Sequence, residues 1–387
     1  MVTFRVPVSP ELLTWAAERS GKTREELESK FPKFEAWAKG EAQPTYKQLE
    51  NFANATHTPF GMFFLEEPPV DELPIPDFRT IANQHLDNPS PDLLETIFIC
   101  ERRQEWYRQY ALSAGAEPLA FVGRATLQSP IEQTAQEIRE VLEFTAHERA
   151  QDRTWADALC RLIDSAEDAG ILVMVSGIVG GNTHRRLDPE EFRGFVLSDP
   201  VAPLIFINGA DTKAAQIFTL VHEVCHLWLG QSALPSSSMK LREIDQNPVE
   251  LWCNRVAAEV LIPLERIRND YLGVLDSATL EGLARKYKVS TLVVLKRIFD
   301  AGLIPWDEYR ALYQSEQARV VALARSRDKS SGGNFYYTQP LRVSRRFARA
   351  IIEDTLRGRT LHRDAFRLLG TKKHQTFVEL GESIGVL

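Results

Sequence analysis

Apolar and polar residues follow two periods along this chain, and the change from one to the other marks its elements. From 217 to 229 the apolar residues Ile217, Phe218, Leu220, Val221, Val224, Leu227, Trp228 and Leu229 run without an internal glycine or proline. That pattern predicts a mostly buried helix, stopped by Gly230. Upstream, the short apolar runs 171–176, 192–197 and 204–207 read as strands of one small sheet. Downstream, residues 247–263 read as a second helix, with Asn247 as its N-cap, Pro248 in its first turn and Pro263 past its end. Further helices are predicted at 12–18 after the Ser9-Pro10-Glu11 start, and at 23–31, 33–39, 45–55, 91–113, 131–142 and 154–169. In 280–298, Val289, Val294, Leu295 and Ile298 suit a packed helical pair. The sum is an α+β protein, mostly helical, with one small sheet.

Three titratable residues interrupt the most apolar of these helices. His222, Glu223 and His226 form an H-E-x-x-H pattern. Residues four apart share one helix face, so the two imidazoles can close on a single zinc ion. Glu223 beside them can take a proton from the attacking water and pass it to a leaving amine, the chemistry of a metalloprotease. The alternative makes His222 and Glu223 solvated and His226 a core residue. It requires three polar side chains on a buried helix with nothing to pair them, which is costly.

A catalytic zinc takes three protein ligands and keeps one open position, so a single further ligand is needed. The helix at 247–263 offers two glutamates nine residues apart. Nine residues are about 900° of rotation, so Glu250 and Glu259 face opposite ways and only one reaches the metal. Glu250 shares its face with Asn254, Ala257 and Leu261, which allow close helix approach. Glu259 shares its face with Arg255 one turn back, where an ordinary ion pair accounts for it. Glu250 is therefore the expected third ligand. Cys253 is the other conceivable donor, and Cys225 reads as a small buried residue.

These two segments, Phe218-Thr219-x-x-His222-Glu223-x-x-His226 and Glu250-x-x-Cys253-Asn254-x-Val256-Ala257-Ala258-Glu259-x-Leu261-Ile262-Pro263, resemble the paired motifs of the ImmA/IrrE family of bacterial zinc metallopeptidases. The resemblance covers roughly residues 150–300. It implies His222, His226 and Glu250 as zinc ligands, Glu223 as general base, a zincin fold, and a helix-turn-helix repressor as substrate. Cys253 and Val256 stand where the family more often has Ala and Phe. In such enzymes a substrate chain joins the strand nearest the metal helix, and Gly194-Phe195-Val196 is the candidate. Candidate donors to the oxyanion are His184, Tyr336 and Tyr337, each of which also reads as structural.

The first 65 or so residues resemble the helix-turn-helix domain of Cro/C1-type repressors, with the apolar set Leu12, Leu13, Ala16, Leu27, Phe34, Trp37, Leu49, Phe52, Ala53, Phe60, Phe63 and Phe64 as core. The tract Trp37-Ala38-Lys39-Gly40-Glu41-Ala42-Gln43-Pro44-Thr45 is close to that family's signature. Between Leu27 and Trp37, however, about four residues of the turn and recognition helix are missing. Residues 1–70 also carry eight basic against ten acidic groups, where a DNA reader shows a positive footprint. The expectation is a repressor-like docking or dimerisation module rather than an operator reader. Proteins that fuse such a domain to this peptidase type resemble those found beside toxin genes, so an antitoxin-like regulator that binds a partner or DNA is the alternative function.

Composition adjusts the picture. No run of eighteen apolar residues and no leader-like start occurs, and four scattered cysteines form no C-x-x-C pair, so a cytoplasmic protein with reduced thiols is expected. Residues 318–387 hold fourteen Lys and Arg against six Asp and Glu, a balance of +8. With the whole chain at −7, the remainder carries −15. The basic tail is expected to pack on the acidic body or meet a protein partner in preference to nucleic acid. The division that follows is 1–68 repressor-like, 69–150 connector and helices, 151–265 zincin core, 266–317 a second helix-turn-helix-like segment, and 318–387 the basic tail.

Overall fold

The structure, a computed structural model of the chain, describes residues 4–69, 73–76, 80–81, 84–85, 89–235, 247–326 and 335–387. Contacts divide it into two compact units, residues 1–74 with 86–97, and residues 75–85 with 98–387.

The first unit holds helices α1 (Pro10–Arg19), α2 (Arg24–Lys30), α3 (Phe34–Ala38) and α4 (Tyr46–Thr56), followed by the 3-10 turn Phe60–Phe64. Their starts follow from local chemistry. Ser9 accepts from the Glu11 N–H, and Thr23 with Glu26 and Thr45 with Gln48 form reciprocal capping boxes. Phe52 is the hub of the core, with the rings of Phe31 and Phe34 each 5.4 Å from its own and Phe63 at 5.9 Å. Phe64, expected inside, is 55% exposed. Within the tight 3-10 turn Phe63 is buried and Phe60 packs at the edge of the core, while Phe64 points outward.

In the second unit come the hairpin β1 (Thr80–Ile81) and β2 (Gln84–His85), then α5 (Pro91–Ser113), most of which belongs here, α6 (Ile131–Val141), α7 (Ala146–Gln151) and α8 (Trp155–Asp168). The sheet follows, with β3 (Leu172–Ser176), β4 (Gly194–Leu197) and β5 (Leu204–Asn208) in the order β3-β5-β4. β5 runs parallel to β3, Leu172 opposite Leu204, and antiparallel to β4, Phe195 opposite Phe206. All three strands are buried on both faces, which is why they read as continuous apolar runs.

One face of the sheet presents Val173, Val196, Ile205 and Ile207 to α8 and to α9 (Lys213–Leu229), in a core that also takes in α10 (Pro248–Leu261). The other face presents Leu172, Met174, Phe195 and Phe206, all buried. It is closed by α5, whose Gln104 Nε2 donates to the carbonyls of Leu197 and Ala202 at 2.8 and 2.9 Å, and by the C-terminal helices. These follow α11 (Leu264–Asp270), α12 (Ser277–Tyr287), α13 (Thr291–Asp300) and α14 (Trp306–Ser326), and are α15 (Phe335–Val343), α16 (Arg345–Leu356), α17 (His362–Leu369) and α18 (His374–Ser383). The α12–α13 pair buries Val289, Val294, Leu295 and Ile298.

Part of the basic tail's charge is engaged within the chain. Arg345 pairs with Asp164, and Arg346 donates to the Glu167 carbonyl at 3.0 Å and the Tyr107 hydroxyl at 2.7 Å. No helix among the described residues is long and apolar enough to cross a membrane.

Candidate metal centre

The centre is built on α9 because that helix is fixed at both ends. Thr212 caps its start, accepting from the Ala215 N–H at 3.3 Å. Gly230 ends it at φ 68°, a left-handed conformation, and a Cβ there would lie 2.9 Å from the Gly123 Cα. Glycine is needed on both counts. The segment around Gly123 takes up the last carbonyls, with the Gly123 N–H on Leu227 O at 2.9 Å and the Ala125 N–H on Trp228 O at 2.8 Å. Phe121 stacks on Trp228 with centroids 4.7 Å apart.

His222, Glu223 and His226 lie on this helix and are buried, and α10, packed against it, brings Glu250 to them. The two Nε2 atoms are 3.1 Å apart. Glu250 Oε2 is 3.4 Å from His222 Nε2, and Oε1 is 3.1 Å from His226 Nε2. Ligand atoms held about 2.0–2.1 Å from one tetrahedral ion stand about 3.3 Å from each other. The observed separations match that edge length. In the tautomer that turns both Nε2 lone pairs inward, the rings repel and a cation between them removes the repulsion. Among the described residues, this is the one group of three His, Cys, Asp or Glu side chains whose ligand atoms come close enough to hold a metal.

The electrostatics agree with the geometry. Burial opposes ionisation of Glu250, yet the charge and hydrogen bonds of His222 and His226 outweigh it and hold the carboxyl down at about 2. Glu223 is fully buried with no partner for either carboxylate oxygen. Burial, and then the charge of Glu250, push its carboxyl well above the usual range. A divalent ion would reverse both influences. Burial pushes the Cys225 and Cys253 thiols up as well, and neither sulfur belongs to the group of converging ligand atoms.

Glu259 turns away from this cluster. The sequence pointed to Arg255, one turn back, as its partner. The partner in the structure is Arg297 of α13, at a site where both side chains are buried. Glu259 Oε2 also accepts from the Leu264 N–H at 3.2 Å, and Arg297 Nε donates to Ile262 O at 2.9 Å. Arg149 was not singled out by sequence at all. Its guanidinium, fully buried, donates to Tyr287 O at 3.0 Å and to the carbonyls of Val260 and Leu261 at the end of α10. Burial, with Arg139 nearby, holds it down to about 9. Nothing in the stretch Ala146-His147-Glu148-Arg149 signals that role, since the acceptors lie more than a hundred residues on.

β4 reaches the centre through Gly194, where a Cβ would lie 2.7 Å from Thr219 Cγ2 and 3.2 Å from Glu223 Oε1. β4 is an edge strand, but Val196 exchanges both backbone bonds with Ala233, at 3.0 and 3.1 Å. By the two-residue period, the N–H and C=O of Gly194 point to the same outer side. Of the candidate oxyanion donors, His184 is exposed in a loop whose Gly181 approaches Gly370, and it does not join the cluster. Tyr336 and Tyr337 lie on α15, and their side chains are outside the described set.

Parts of the chain match known families. Residues 166–299 match the M78 peptidase family described as the IrrE N-terminal-like domain, so the stretch from the end of α8 through most of α13 is similar to a peptidase domain. Residues 343–383 match a family described as a domain of unknown function. No curated protein matches the chain.

Proposed function

We propose that this protein is a zinc-dependent endopeptidase of ImmA/IrrE type that cuts a protein regulator, with a helix-turn-helix repressor as the substrate class. The observation that carries the reading is the convergence of His222, His226 and Glu250 in a buried site beside Glu223, whose carboxylate has no partner. Two imidazoles and a carboxylate are a donor set of catalytic zinc, and three ligands leave one position open. Zinc bound there would polarise the scissile carbonyl and lower the pKa of water.

Glu223 is the general base. It takes the proton of the attacking water as the C–O bond forms and delivers it to the amide nitrogen as the C–N bond breaks. The outward backbone groups of Gly194 pair with the substrate main chain, and the lack of a side chain there lets β4 itself lie close against Thr219 and Glu223.

The first unit serves as a docking or dimerisation module. Its α3, where a repressor would carry base-reading side chains, has Phe34 and Trp37 buried and Glu35 engaged by Arg24 and Lys39. The second reading is an antitoxin-like regulator that holds a partner without cutting it. The pairing of Val196 with Ala233 favours it, because that part of the strand edge is already taken.

Metal analysis of purified protein, with co-expression of candidate repressors alongside wild type and Glu223→Gln, decides between them. The peptidase reading expects one zinc per chain in both proteins and a loss of cleavage of about 10²–10⁴-fold in the variant. Wild type without stoichiometric zinc, or a variant with full biological activity, would sink it.

A further inference from the structure

On the far side of the sheet from α9, the chain forms a second, partly open site of a different chemical character. α5, the loop after β3 and the end of α17 bound a cavity of about 100 Å³. A water molecule needs about 10–15 Å³ of such space, so there is room for a group of several heavy atoms. Three of its seven lining residues are arginines, Arg102, Arg103 and Arg367, and none is acidic.

Arg103 is 6% exposed. Its Nε donates to Leu368 O at 2.9 Å and its Nη1 to Arg342 O at 3.3 Å, with Met174 Sδ 3.5 Å from Nη1. Those bonds tie α5 to α15 and to the end of α17. They leave Nη2 as the nitrogen of the group without a partner among the described residues. No carboxylate there pairs with Arg103, and burial, with the charge of Arg102 adding to it, holds its guanidinium below the ordinary range. Arg102 is exposed and makes no hydrogen bond or ion pair among the described residues. The ion pair of Arg367 is with Asp364 at 3.6 Å, and its side chain is otherwise exposed.

The carbonyl contacts explain Arg103 as a brace. They do not explain why two further arginines line the same small space. Like charges gathered beside a buried one raise the energy of the empty site, and an anion lowers it. Guanidinium groups present paired donors that match the oxygens of a phosphate group.

We propose that the cavity lined by Arg102, Arg103 and Arg367 binds a phosphate group, and that the bound group fastens the C-terminal helices to the sheet. The group is inorganic phosphate or the phosphate of a small monoester. The site is independent of the metal centre, and so is its test.

The full-length protein is titrated with inorganic phosphate and, in a second arm, with glycerol 3-phosphate, both at ionic strength fixed by chloride. Melting temperature and phosphorus NMR line width are followed. The expected result is saturable stabilisation and broadening, with the tighter arm identifying the source. Arg102→Ala and Arg367→Ala each weaken the affinity by about tenfold or more, and the double variant loses it. Arg357→Ala, at an exposed arginine paired with Glu353 outside the cavity, leaves it unchanged. Arg103 is left intact because it also braces the fold. No saturable response in either arm, or an equal response in the double variant, overturns the site. Binding without slower amide exchange in α16 and α17 overturns the fastening role.

Discussion

Helix α10 carries two buried glutamates nine residues apart, in opposite chemical circumstances. Glu259 at its end is satisfied, with a guanidinium beside it and a backbone N–H on the same oxygen. Glu250 at its start faces two imidazoles that face each other, next to a carboxylate with no partner at all. Burial is the same at both ends. The difference lies in the kind of partner: Glu259 is matched by a guanidinium and a backbone N–H and reads as scaffold, whereas Glu250 meets two imidazoles at the spacing of metal ligands, beside Glu223 whose carboxylate oxygens have no partner.

The comparison breaks most easily at the satisfied end. Glu259→Ala leaves Arg297 buried beside an empty space and is expected to cost about 3–5 kcal/mol in urea unfolding. A cost within 1 kcal/mol would mean that the pair is not what holds the end of α10. At the other end, Glu250→Ala is expected to weaken metal affinity by more than about 100-fold, while costing the metal-free protein less stability than Glu259→Ala. Chelator competition and urea midpoints on the same samples read both quantities. Retention of stoichiometric metal by Glu250→Ala would end the ligand assignment.

Glu167 sharpens the contrast as an intermediate case. It is buried on α8 and receives the Ser344 hydroxyl, with Arg345 nearby, yet burial pushes its carboxyl up to about 7. The folded value lies above 4.5, the value for the free side chain. The stability it contributes is therefore complete below about pH 4.5 and is lost as the pH rises through 7. The loss amounts to about 3 kcal/mol at most. Glu167→Gln removes that slope, so the variant gains on wild type as the pH goes from 5 to 8. Urea unfolding at the two pH values that gave equal differences would refute this. The smallest effect is expected at Gly230. Gly230→Ala combines a left-handed φ with a clash against Gly123, for about 1–3 kcal/mol, read as a lower melting temperature.

Much of this was legible in the residues alone. The helix starts at Ser9, Thr23, Thr45, Thr154 and Asn247 follow from caps that act within three residues. The strands and the helix that carries His222 and His226 follow from apolar runs. The spacing of His222 and His226 is a property of one helix. The rotation between Glu250 and Glu259 separated the two faces, and the structure turns Glu250 to the imidazoles. What was not legible depends on distant partners. Arg297 lies thirty-eight residues beyond Glu259, and Ser344 lies 177 beyond Glu167. Phe64 was expected inside because composition does not reveal which way a 3-10 turn points.

By itself, then, the sequence determined many of the helices, the three strands of the main sheet and the spacing of His222 and His226, because caps, periodicity and i, i+4 spacing operate within one or two helical turns. Only the tertiary structure decided which arginine neutralises Glu259, why residue 194 has no side chain, how far the strand edge is already paired, and where the basic tail docks. Those depend on which surfaces meet when distant segments pack, and burial energy that is non-directional and proportional to area leaves no local mark of the partner it selects.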